Sequence, residues 1–140
     1  MRHLMIATAF AAAALAPAAA SAAAQGMPFS AKLAPPAGIT STGTGTATMS
    51  LDAASKVLTY RVEYSGLSGP AMAAHIHGPA EPGANAPPVI PFPNAASPIV
   101  GTATLTDAQI ADLNAGKYYV NVHTAANRGG EIRGQIAMAH

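Results

Sequence analysis

From position 25 onward the chain is cut into short runs by Gly and Pro, and that punctuation limits what it can become. All 13 Gly and 11 of the 12 Pro fall there, so few windows could hold a helix. Between them apolar and polar residues alternate, the period of a half-buried strand. Val57, Thr59, Arg61 and Glu63 alternate with Leu58, Tyr60, Val62 and Tyr64, which makes one face drier than the other. The pattern predicts an all-β chain with strands near residues 29–33, 42–51, 56–65, 73–77, 99–105, 118–123 and 131–138. Asp52-Ala53-Ala54-Ser55 is placed to close a hairpin. A single short helix is expected after Thr106. That residue and Gln109 form a capping box, Ile110 and Leu113 supply a small apolar face, and Gly116 stops it.

The N-terminus has a different character. Arg2, an Ala-rich apolar run from Leu4 to Ala20 and the small residues 21–24 have the layout of a secretory signal peptide. The expected division is a signal peptide over residues 1–24 and one domain over 25–140, secreted or periplasmic, with no integral membrane segment once the signal is cleaved. Seven Lys and Arg less Arg2 leave six, against six Asp and Glu, so the remaining chain is close to neutral. It offers no basic face for nucleic acid and no polybasic membrane anchor. With no Cys, disulfides, thiolate metal sites, iron–sulfur clusters and a Cys nucleophile are excluded. No GxSxG elbow, GxGxxG loop or P-loop is present. Asp107 and Asp112, five apart on the expected helix, do not share a face.

What remains is histidine. In His75-Ile76-His77 the two imidazoles project to one side of a strand and Ile76 to the other, so Ile76 enters the core and the rings stay outside it. In Tyr119-Val120-Asn121-Val122-His123 the two Val share the core face, which places Tyr119, Asn121 and His123 on the outer one. If these strands are neighbours, His75, His77 and His123 converge, and neutral imidazole suits copper or zinc. Asn121, Glu131 and Arg133 are candidates to support such a site. Glu131 could orient a ligand ring and Arg133 could guide an anion, although the Glu131, Arg133, Gln135 face also reads as a solvated ladder. Directly after His77, residues 78–98 contain seven Pro, so continuous strand pairing is not expected over most of that segment.

Three blocks carry a family resemblance. His75-Ile76-His77-Gly78-Pro79-Ala80, Tyr119-Val120-Asn121-Val122-His123-Thr124 and Gly130-Glu131-Ile132-Arg133-Gly134-Gln135-Ile136 resemble the signature blocks of the CHRD domain, an extracellular module also found in secreted bacterial proteins. A more distant likeness is to copper/zinc superoxide dismutase. That likeness implies a Greek-key antiparallel β-sandwich or barrel, here of about seven to eight strands with one short helix. It also implies that His75, His77 and His123 match three copper-ligand positions, and that Arg128 or Arg133 matches an anion-guiding Arg. The bridging His and the remaining zinc ligands have no counterpart in residues 78–98, which hold no His or Asp. Copper is therefore the expected cofactor, and zinc is not expected. The favoured reading is an exported copper-binding protein without catalysis. Its rivals are a metal-free module for an extracellular protein partner and a copper oxidoreductase.

Overall fold

The structure, a computed structural model, describes residues 26–140; the expected signal peptide lies outside them. Nine strands and one helix follow in the order β1 (Met27–Leu33), β2 (Thr44–Asp52), β3 (Val57–Ser65), β4 (Ala71–His77), β5 (Pro88–Pro91), β6 (Ile99–Thr104), α1 (Asp107–Asn114), β7 (Tyr119–Thr124), β8 (Ile132–Gln135) and β9 (Ala137–Met138). They make two antiparallel sheets, β6-β3-β2-β1-β9 and β5-β4-β7-β8. The chain runs β1–β2–β3 in the first sheet, crosses for β4 and β5, and returns to set β6 against β3. This over-and-back path gives the expected Greek-key sandwich.

Alternation decides which side of each strand is dry. Leu58, Tyr60 and Val62 of β3 are buried and the residues between them face out. Phe29, Ala31 and Leu33 of β1 meet Ala74 and Ile76 of β4 and Val120 and Val122 of β7 in one apolar cluster between the sheets. Val120, Val122 and Ile76 are completely excluded from solvent, so the strands that carry His75, His77 and His123 are anchored by their core faces. The 52–55 hairpin forms as expected, with Asp52 Oδ1 accepting from Ala54 N at 2.9 Å.

Two departures from the expected strands have local causes. The last one is not continuous. Ile136, fully buried, donates its N–H to Tyr118 O at 2.9 Å, and the chain changes sheets there, β8 pairing with β7 and β9 with β1. β5 lies inside the Pro-rich segment. It is an edge strand paired only with β4, the kind of position in which a sheet tolerates proline. These two differences bring the count to nine.

The helix is capped as its sequence indicates. Thr106 Oγ1 accepts from Gln109 N at 3.1 Å, Gln109 Oε1 accepts from Thr106 N at 3.0 Å, and Gly116 (φ +73°) follows the C-cap. Thr106→Ala should therefore lower stability by about 1 kcal/mol in urea unfolding. Among the described residues no helix is long and apolar enough to cross a membrane.

Candidate metal centre

Strands β4 and β7 are direct neighbours, with His77 opposite Tyr119, His75 opposite Asn121 and Ala73 opposite His123. All six side chains belong to one face. The three imidazoles converge on it, one nitrogen from each lying within 4.8 Å of the others. His140 is exposed and stands apart from this group.

Hydrogen bonds assign the ring tautomers. His77 Nδ1 lies 2.9 Å from Ala86 O and His123 Nδ1 lies 2.8 Å from Arg128 O. A carbonyl only accepts, so each Nδ1 carries the proton and each Nε2 is left with a lone pair. Those two Nε2 atoms face each other at 3.4 Å. His75 Nδ1 is buried with no partner. Burial, reinforced by His123 and His77, holds His75 below the ordinary imidazole range. Burial does the same to His77, opposed by its bond to Ala86 and helped by His123 and Arg133. The cluster thus brings three imidazoles together, two of them with Nε2 turned toward each other. Two nitrogens about 2.05 Å from one ion, at a tetrahedral angle, are about 3.35 Å apart, which is the Nε2 separation found here. The donor set fits a borderline metal such as copper or zinc.

The outer face is not the solvated surface that its polar residues imply. Residues 78–87 lie across it. Tyr119, stacked on His77 with ring centroids 5.1 Å apart, donates its hydroxyl to Ala86 O at 3.2 Å and accepts from Ala86 N at 3.0 Å. Gln135 Nε2 donates to Ala80 O at 3.0 Å. The Arg133 guanidinium donates to Asn85 Oδ1 at 2.9 Å and Ala84 O at 2.8 Å, and sits 3.7 Å from the centre of the Tyr119 ring. The expected Glu–Arg ladder is overturned: Arg133 straps the segment that supplies the carbonyl for His77. Arg128 is the arginine at the open side, where a cavity of about 310 Å³ is lined by Met72, Ala73, His75, His123, Thr124 and Arg128.

Glu131 departs furthest from expectation. It is completely buried, and both carboxylate oxygens are saturated by neutral donors. Ser68 contributes its hydroxyl to Oε1 and its N–H to Oε2 at 2.8 Å. Ser41 Oγ reaches Oε2 at 2.8 Å, and Thr124 Oγ1 and Asn127 Nδ2 reach Oε1 at 2.8 and 3.2 Å. No imidazole is among these partners, so Glu131 does not orient a ligand ring directly. These bonds, Ser68 foremost, pull its carboxyl down to about 2 against the opposing effect of burial. Asn121 likewise bonds to backbone rather than to an imidazole. Its Nδ2 donates to Gly129 O at 3.0 Å, bracing the turn that presents Arg128 O to His123, while its Oδ1 is buried and unpartnered.

That turn depends on Gly130. Its φ is +123°, and a Cβ there would stand 2.0 Å from Asn121 Oδ1. Gly130→Ala should cost about 2 kcal/mol, read as a lower thermal midpoint of the metal-free protein.

The fold and site together define a two-sheet β-sandwich with an imidazole cluster on the outer face of its smaller sheet. The profile of the CHRD domain matches residues 29–136, and the chain belongs to the CHRD domain family. No curated protein and no solved structure matches it.

Proposed function

We propose that this chain is an exported metal-binding protein that holds one copper ion through His75, His77 and His123. The observation that carries the reading is the pair of Nε2 lone pairs facing each other at 3.4 Å, with both Nδ1 protons committed to backbone carbonyls. With both rings neutral, two acceptors at that distance are unfavourable unless a proton or a metal ion lies between them. The third ring of the group, His75, has a buried Nδ1 that no protein group satisfies. Copper is favoured over zinc because it binds nitrogen donors more tightly along the divalent series. Its chemistry here would be that of a held ion, with the protein fixing the rings and excluding water on the His77 side.

Elemental analysis and copper titration of the untagged protein test this. Near-stoichiometric copper that is lost in His75→Ala/His77→Ala is the expected result. Binding no tighter than that of the double variant would leave a metal-free module.

A further inference from the structure

The His77 side of the cluster is closed by residues 78–87, but the side at His75 and His123 is open, and Met72 stands in that opening. Strict alternation along β4 would send Met72 to the core face with Ala74 and Ile76, both of which are buried. It does not go there, and 62% of its surface is exposed. The pairing with β7 shows why. Ala71 pairs with Thr124 and Ala73 with His123, so β4 advances two residues while β7 advances one. Met72 is the extra residue of a β-bulge, a device that re-aims a side chain. Here it sets Met72 at the cavity that His75 and His123 also line. Val100 and Met138 are also exposed, so exposure alone is unremarkable; the bulge and the shared cavity single out Met72.

The geometry points to Met72 as a fourth ligand, which makes this a three-imidazole, one-thioether site able to hold copper as Cu(I). The inference rests on the copper reading above. A thioether is a soft donor that selects Cu(I), and three rotatable bonds let Met approach or leave the ion without moving the strand. Zinc and Cu(II) prefer the nitrogen donors and gain little from it. The site therefore accommodates copper in its reduced form, with Met72 on the side from which an ion is delivered or taken.

The test compares the untagged protein with Met72→Leu, a near-isosteric change at an exposed position, and with Met138→Leu as a thioether control on the other sheet. Cu(I) affinity is read anaerobically by competition with a chromogenic Cu(I) chelator. Cu(II) affinity is read by competition with an amino-acid chelator. The expected result is a loss of about tenfold or more in Cu(I) affinity for Met72→Leu only, with Cu(II) affinity unchanged within about twofold, smaller than the loss of an imidazole because three nitrogen ligands remain to hold the ion. X-ray absorption of the Cu(I) protein should show a sulfur neighbour that disappears in Met72→Leu and persists in Met138→Leu. Equal Cu(I) affinities and an all-nitrogen copper environment would overturn the role of Met72 while leaving the three imidazoles intact. If the unsubstituted protein binds neither form of copper better than His75→Ala/His77→Ala, the three-histidine site itself is wrong, and this inference goes with it.

Discussion

Replacing His75 with alanine is expected to weaken copper binding by about 100-fold or more while leaving the metal-free protein at least as stable as before. Losing a group that merely supports a metal ligand costs about 10–100-fold, so losing a ligand should reach or exceed the upper end. The stability half of the result follows from what His75 does without metal. Its Nδ1 is buried and unpartnered, a standing desolvation cost that alanine removes. His77 and His123 differ. Each donates to a carbonyl, and His77 also stacks on Tyr119, so alanine at either position should lower affinity comparably and also lower stability by about 1 kcal/mol. His140→Ala should change neither quantity. Calorimetric copper titration alongside urea unfolding of the metal-free variants reads both halves. Retained affinity in any of the three variants would break the three-ligand site. A His75→Ala protein markedly less stable than the parent would mean that the ring has a structural partner after all.

The parts of this site that follow from strand periodicity were legible in the chain. Ile76 under the His pair, and Val120 and Val122 under His123, fix which way the rings face, and a period of two is enough to say so. The capping box at Thr106 and Gln109 is equally local. What escaped the reading depends on segments that meet only after folding. Ala86 O and Arg128 O orient His77 and His123, yet a backbone carbonyl leaves no mark in a sequence. Polar character on the outer face suggested solvent, but Tyr119, Asn121 and Glu131 are buried. They need partners because residues 78–87 and three loops cover them, and those partners are what their polarity serves. Met72 was hidden for a related reason, since a bulge breaks the alternation that any reading of faces assumes.

The largest stability effect is expected at Glu131. With no cysteine in the chain, nothing covalent ties its loops together. The Glu131 carboxylate does so non-covalently, joining Ser41 before β2, Ser68 between β3 and β4, Thr124 at the end of β7 and Asn127 in the β7–β8 turn. Glu131→Ala strands these donors in a site with no solvent exposure, and a loss of about 3–5 kcal/mol in urea unfolding is expected. Glu131→Gln should be nearly as damaging despite its matching shape. Either orientation of the amide turns its NH₂ group toward an N–H donor, Ser68 N at the Oε2 position or Asn127 Nδ2 at the Oε1 position, and requires neighbouring hydroxyls to reverse their roles. Acid should separate the parent from Glu131→Gln. An unfolded chain titrates this carboxyl near 4.5 and the folded protein near 2, so its contribution is complete above pH 4.5 and is lost as pH falls from there toward 2. None of its partners titrates, so that portion of the acid dependence should vanish in Glu131→Gln, whose stability changes less across the same interval. Copper affinity should fall as well, by about tenfold, because Asn127 and Thr124 anchor the turn whose Arg128 carbonyl holds the His123 ring. A Glu131→Gln protein with unchanged urea midpoint and unchanged acid dependence would show that the loops are held by their own packing rather than by this carboxylate.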